Sequence, residues 1–123
     1  MPQDKMGILF VDDDPKLLEG LRRMLRGKRE VWEMAFVVSG REALAVLAGS
    51  HIDIIVADYK MPGMNGFELL EKVKDEYPHI RRILLTGQSD EEVFARSGEI
   101  VHRYLSKPCE PGVLIETLEH IST

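Results

Sequence analysis

The chain alternates short apolar runs with amphipathic segments, and that alternation sets the architecture. Residues 7–11 are a run of small and branched apolar side chains, Ile8, Leu9, Phe10 and Val11 among them, flanked by polar residues. The run is too short for a helix and reads as a strand buried on both faces. Over residues 16–25 the apolar positions Leu17, Leu18, Leu21, Met24 and Leu25 recur at helical spacing. Asp14 stands at the N-cap, and Pro15 in the first turn, where a missing N–H costs nothing. Gly27 suits the stop.

The same reading continues along the chain. Residues 31–38 form a weaker second strand, opened by Trp32 as a core residue. Residues 40–47 form a short helix capped by Ser39, with Glu42 three positions on as a capping box. Residues 52–57 are a β-branched third strand. Residues 60–65 hold Pro62 and Gly63 and form a loop. Phe67, Leu69, Leu70 and Val73 lie on a helix that Pro78 ends. Residues 82–86 and 103–106 are the fourth and fifth strands, with a short helix predicted between them at 90–96. Val113, Leu114, Leu118 and Ile121 make a final helix that starts just after Pro111. Five strands alternating with five helices predict an α/β, doubly wound parallel sheet with helices on both faces. In such sheets the ligand site lies outside the carboxyl ends of the strands.

The residues at those ends carry the chemistry. Asp12, Asp13 and Asp14 follow the first strand, Asp58 the third, Thr86 and Gly87 the fourth, and Lys107 and Pro108 the fifth. Adjacent carboxylates repel one another unless a cation sits among them. An all-oxygen cluster open to water suits magnesium or manganese, which pairs with phosphate. A carboxylate can also attack phosphorus and become an aspartyl phosphate. Phosphoryl transfer then calls mainly for alignment and neutralised charge. Lys107 and a metal would supply the charge, Thr86 a hydrogen bond, and Gly87 room for the group to enter.

Composition narrows the alternatives. The chain has 123 residues, 44% hydrophobic and 30% charged, which describes one ordinary globular domain over 1–123. Its net charge of −5 argues against direct nucleic-acid binding. The single cysteine, Cys109, excludes an intrachain disulfide and reads as packing beside the Lys-Pro turn. No apolar run is long enough to span a membrane, and no signal-peptide core follows Met1, so the expected location is cytoplasmic. His51, His79, His102 and His120 show no metal-ligand spacing and read as structural or surface residues, and Arg81-Arg82 as the solvated start of a strand.

The order and spacing of four segments resemble the receiver domain of two-component response regulators. They are Ile8-Leu9-Phe10-Val11-Asp12-Asp13-Asp14-Pro15, Asp58 through Gly66, Leu85-Thr86-Gly87, and Tyr104-Leu105-Ser106-Lys107-Pro108. The resemblance covers essentially the whole chain and implies a flavodoxin-like strand order, 2-1-3-4-5. It implies that Asp58 is the phosphoacceptor for a histidine kinase or phosphotransfer protein. It further implies magnesium held by Asp13 and Asp58 directly, by Asp12 through water, and by the backbone carbonyl of Lys60. Lys107 would contact the phosphoryl group, its bond to Pro108 would be cis, and Thr86 and Tyr104 would form a switch pair. Lys60 and Gln88, each two residues past a site residue, would modulate access of water to the phosphoryl group. Signalling would use the face built from the predicted helix at 90–96, the fifth strand and the final helix. There Arg96, Arg103, Glu116 and Glu119 would pair across a symmetric homodimer. Three departures stand out: Val101-His102 occupies the place of a usual Gly-Ala pair, the predicted fourth helix is short and interrupted by Ser97-Gly98, and Asn65 stands where Asp is common, at a loop position expected to matter little. A haloacid-dehalogenase-type phosphatase also sets an Asp-x-Asp after a strand, but that reading leaves Asp58 and the Met61-Pro62-Gly63 loop without a role.

Overall fold

The fold was described from a computed structural model, which describes residues 5–87, 98, 100–107 and 110–121. Gln88, the predicted helix at 90–96, Arg96, Pro108 and Cys109 lie outside the described residues. The strands are β1 (Met6–Val11), β2 (Trp32–Val37), β3 (Ile54–Asp58), β4 (Arg81–Thr86) and β5 (Arg103–Ser106). The helices among the described residues are α1 (Pro15–Met24), α2 (Gly40–Gly49), α3 (Gly66–Glu76) and α4 (Pro111–His120), the last being the final helix of the sequence reading. All four strand pairs are parallel, and the sheet order is β2-β1-β3-β4-β5.

Two apolar layers cover the sheet. Ala43 and Leu47 of α2 and Leu69, Leu70 and Val73 of α3 pack with Leu9, Ile55 and Leu84 on one face. Leu18 and Leu21 of α1 and Leu114 and Leu118 of α4 pack with Ile8, Phe10, Ile54 and Ile83 on the other. This two-sided cover explains the unbroken apolar runs, since neither face of β1 or β3 meets solvent. Trp32 is buried, as its place at the head of β2 suggested. The helix starts follow their caps. The Asp14 carboxylate accepts from Lys16 N at 3.0 Å and Leu17 N at 3.4 Å, with Pro15 in the first turn. Ser39 Oγ accepts from Glu42 N at 3.1 Å, and the Glu42 carboxylate reaches back to Val38 N at 3.0 Å.

Some boundaries differ from the sequence reading. Helix α1 closes at Met24 and passes into a 3₁₀ turn at Arg26–Lys28 before any effect of Gly27. Strand β3 starts two residues later than expected and takes in Asp58, because Asp58 still pairs in register with Leu85. Before β3, the Asp53 carboxylate turns back to accept from Gly7 N at 2.8 Å, fixing the first strand at its start.

Arg82 is a correction of chemistry. Its side chain is buried, not solvated, at 3% relative exposure. Nε donates to Ile100 O at 2.6 Å, and a terminal nitrogen donates to Ile80 O at 3.0 Å and Pro78 O at 3.4 Å. The turn before β4 and the segment before β5 thus share one guanidinium. Nothing in the Arg81-Arg82 pair signals that the second arginine will turn inward to the carbonyls of Pro78, Ile80 and the distant Ile100. Beside it, Arg82 N donates to His102 Nδ1 at 2.9 Å, and His102 N donates to Arg82 O at 2.8 Å. The imidazole so extends the β4–β5 ladder by one rung ahead of Arg103. Val101 is buried next to it, which gives the Val101-His102 pair a structural role.

That rung depends on a neutral ring, because an imidazolium has no lone pair for Arg82 N. Burial, then Arg82, Arg81 and Arg103, hold the His102 pKa below its ordinary value of 6.5. The folded state therefore binds this proton less tightly than the unfolded chain. The contribution is complete above pH ~6.5 and is lost as the pH falls toward the lower folded value. We predict that His102→Asn, whose amide oxygen can accept the same bond without titrating, loses part of the acid sensitivity. Between pH 7.5 and 5.5 the melting temperature of the parent should fall about 4 °C further than that of the variant, the effect of one hydrogen bond of roughly 1 kcal/mol. Parallel pH profiles in thermal melts would refute the assignment.

Candidate functional site

The four strand ends that carry polar residues meet at one rim. Asp12 follows β1 and is buried, at 1% relative exposure. One of its oxygens accepts from Asp14 N at 2.9 Å, and the other faces Lys107 Nζ at 3.3 Å. Asp13 is exposed beside it. Asp58 ends β3, is 5% exposed, and has Oδ1 3.2 Å from Lys107 Nζ. One carboxylate oxygen from each of Asp12, Asp13 and Asp58 lies within 4.8 Å of the other two. Lys107 is brought there by the ladder, since its N–H donates to Thr86 O at 2.9 Å just beyond β5.

The electrostatics of this rim are unbalanced. Three carboxylates face one ammonium. Burial, then the Asp12 charge, raise the Asp58 pKa above 3.8, and the attraction of Lys107 only partly offsets them. Burial opposes the charge on Lys107 too, yet Asp58 and Asp12 together hold its pKa above 10.5. Both directions describe a negative site that one ammonium does not neutralise. The donor set is hard oxygen throughout, with an exposed member at Asp13, which fits a divalent cation that retains water ligands.

Neighbouring segments fix the loop that follows Asp58. Tyr59 N donates to Leu85 O at 2.9 Å, and Tyr59 O accepts from Gly66 N at 2.9 Å. The residue between Asp58 and Lys60 is thus tied to β4 on one side and to the start of α3 on the other. Gly66 must lack a side chain, because a Cβ there would run into the carbonyl of Asp58. Gly63 turns the loop at φ +76°, a left-handed conformation that favours glycine. Lys60 is exposed at the same rim.

Asn65 is more than the passive loop position the sequence reading took it for. Its side chain accepts from Glu68 N at 2.8 Å, and Glu68 returns a bond to Asn65 N at 3.0 Å. This capping box starts α3 directly behind Asp58. The signal was present as Asn followed by Glu three residues later, ahead of an apolar run. An Asp at this position would cap the helix equally well.

Thr86 is buried at the end of β4 and pairs in register with Ser106. Tyr104 lies two residues before Ser106, so it and Thr86 face the same side of the sheet, one step apart. Tyr104 is half-buried, and burial raises its pKa above 10. The charges expected to pair across a dimer fare differently. Glu119 is engaged within the chain by Lys28 Nζ at 2.7 Å, and Arg103 donates to His102 O at 3.2 Å. Among the described residues no helix is long and apolar enough to cross a membrane.

Comparison with known proteins places this chain in a family. The family model described as "Response regulator receiver domain" matches residues 8–119. The hydrogenase transcriptional regulatory protein HoxA of Cupriavidus necator is 34% identical over 120 residues, 96% of this chain and 24% of its own length. The heme response regulator HssR of Staphylococcus epidermidis is 40% identical over 110 residues, 87% of this chain and 47% of its own. The chain thus spans from about a quarter to about half of these two relatives. Among solved structures, a CheY-like response regulator receiver domain protein from Methanospirillum hungatei superimposes with a TM-score of 0.88 at 29% identity, over 97% of this chain and 94% of that one. A response regulator receiver domain protein from Clostridium thermocellum gives 0.86 at 27%, over 95% and 94%. With its doubly wound sheet, its acidic rim and a match over nearly its whole length, this chain belongs to the response regulator receiver domain family.

Proposed function

We propose that Asp58 accepts a phosphoryl group from a phosphohistidine of a histidine kinase or phosphotransfer protein, and that the aspartyl phosphate changes an interaction face. One observation carries the reading: a buried acceptor carboxylate lies 3.2 Å from the Lys107 ammonium and within 4.8 Å of two further carboxylates. Asp13 and Asp58 would hold Mg2+ or Mn2+ directly, Asp12 through water, and Lys60 through its backbone carbonyl. When bound, such a cation supplies positive charge to the oxygens of the transferring group.

The residues themselves divide the work. A carboxylate oxygen of Asp58 attacks phosphorus. The new O–P bond forms as the P–N bond of the donor breaks, and the electron pair leaves on the imidazole nitrogen. Lys107, already 3.2 Å from Asp58 Oδ1, is placed to follow the added negative charge. Thr86 stands at the end of the neighbouring strand, in position to donate its hydroxyl to a phosphoryl oxygen. Its movement would free space on the side of the sheet that carries Tyr104, and the ring would turn inward to fill it. Phosphorylation would then change the surface around β5 and α4, which binds a partner protein or a second copy of the chain. The Lys60 side chain, at the rim, and Gln88 would tune how long the acyl phosphate lasts against water.

Two predictions follow from this arrangement. Incubation with acetyl phosphate and magnesium should add one phosphate, seen by intact mass. The addition should vanish in Asp58→Asn and in Asp13→Ala, and should persist, more slowly, in Thr86→Ala. In Thr86→Ala the amide shifts induced by phosphorylation should stop short of Tyr104. Full labelling of Asp58→Asn would overturn the acceptor assignment.

The second concerns stability without metal. Asp58 has a raised folded pKa, so its protonated form favours folding, and that benefit is lost as the pH rises through the folded value. Above that folded value the full penalty of the ionised group is present. Asp58→Asn removes it and should raise the metal-free melting temperature by about 4 °C, roughly 1 kcal/mol for a domain of this size. Millimolar magnesium should raise the melting temperature of the parent by mass action, with little effect on Asp13→Asn. A parent protein indifferent to magnesium would count against the cation site.

A further inference from the structure

The charges of this chain are unevenly spread. Its net charge is −5, yet α1 and the 3₁₀ turn behind it are strongly basic. From Pro15 to Arg29, Lys16, Arg22, Arg23, Arg26, Lys28 and Arg29 are six of the 16 Lys and Arg, and Glu19 is one of the 21 Asp and Glu. Part of this surplus is matched within the chain: Lys28 meets Glu119 at 2.7 Å, and Arg22 meets Glu19 at 3.8 Å. Arg23, Arg26 and Arg29 are exposed, and among the described residues none of the three makes an ion pair.

A cleft of about 260 Å³ opens beside these cations. It lies where β1 and β2 begin, at the end of the sheet away from the acidic rim and on the edge away from β5. Trp32, Met34 and Phe36 give it an apolar lining. The Phe36 ring is held in place, since it stacks on Phe10 at 5.0 Å and the Arg22 guanidinium lies 4.7 Å from its centroid. Lys5, Arg22 and Arg29 also line the cleft, with Glu33 as the one carboxylate among the described lining. Lys5 Nζ donates to Arg29 O at 2.9 Å, a contact with a carbonyl that leaves the ammonium charge uncompensated.

We propose that this cleft docks an acidic segment of a partner protein, with one apolar side chain of the segment in the cleft and carboxylates on either side meeting Lys5, Arg22 and Arg29. The space suits a single large side chain, and anchors of that kind carry much of the affinity at protein interfaces. Guanidinium forks match carboxylates in two-point contacts. A nucleic acid fits less well, because its phosphates would meet Glu33 at the cleft and a chain whose net charge is −5. A second copy of the chain brings that same net charge and is repelled at a distance. The surface lies apart from Asp58 and from the β4–β5 edge, so it does not depend on the phosphoryl chemistry.

Trp32 is the chain's one tryptophan and lines the cleft, so its fluorescence reports occupancy. The probe is a short glutamate-rich peptide with one central phenylalanine and no tryptophan. At low salt it should change the Trp32 emission saturably, and its affinity should fall as salt is added. Alanine in place of the peptide's phenylalanine should weaken binding about fivefold or more. Arg29→Glu replaces an attraction with a repulsion and should weaken binding about tenfold, while Arg29→Lys keeps most of the affinity. Should Arg29→Glu fail to fold, Arg29→Gln should weaken binding by a smaller factor. Lys72→Glu makes the same change of charge on exposed α3, outside the cleft, and should leave the affinity nearly unchanged. The proposal is overturned by an unresponsive Trp32, by equal losses in Lys72→Glu and Arg29→Glu, or by affinity indifferent to the peptide's phenylalanine. It is equally overturned if a single-stranded oligonucleotide of equal charge binds more tightly than the peptide, or if sedimentation shows self-association that the peptide disrupts.

Discussion

Three carboxylates held against a single ammonium at the rim of the sheet are the constraint on which the rest of the site depends. Asp12 and Asp58 are almost fully buried, and both reach Lys107, at 3.3 and 3.2 Å. Isolated buried charges of like sign would be expelled or neutralised by protonation. Here they are kept by the ammonium on one side and by backbone donors such as Asp14 N on the other. The compensation is incomplete, as the raised pKa of Asp58 shows. A site of this kind holds unfavourable electrostatic energy that a cation or a change of charge at Asp58 can relieve, which makes it sensitive to both.

The parallel sheet makes that imbalance possible. Because β1, β3, β4 and β5 run the same way, their carboxyl ends open on one side, and the register sets Asp58 beside Leu85 and Thr86 beside Ser106. The hydrogen bonds that continue past the strands then fix the loops: Tyr59 to Leu85 and Gly66, and Lys107 to Thr86. The apolar layers on both faces pack closely against this frame, and a close-packed interior resists deformation. Arg82 and His102 anchor the other end of the same edge, where β4 meets the segment leading into β5.

Much of this was legible in the order of residues. The apolar runs, the caps at Asp14 and Ser39, and the loop residues Pro62 and Gly63 are local signals, and each acts through its immediate neighbours. The alternation of strands and helices, with right-handed crossovers, then forces Asp12, Asp13, Asp58, Thr86 and Lys107 to one rim even though they are spread over most of the chain. Asn65 carried a local signal too, and its role as the cap of α3 follows from Glu68 three residues on.

What only the tertiary structure decided is how groups far apart in sequence satisfy one another. Arg82 stands in an apolar strand and gives no hint that carbonyls of Pro78, Ile80 and Ile100 will surround it. Glu119 appears free on a helix surface until Lys28 meets it from 91 residues away. The same holds for the apolar space between α1 and α4, which exists only because both helices lie on one face of the sheet. Chain-local propensity and patterning reach three or four residues; the charge balance of a rim, the burial of a guanidinium and the volume between two helices depend on packing, and packing is settled only when the whole chain is folded.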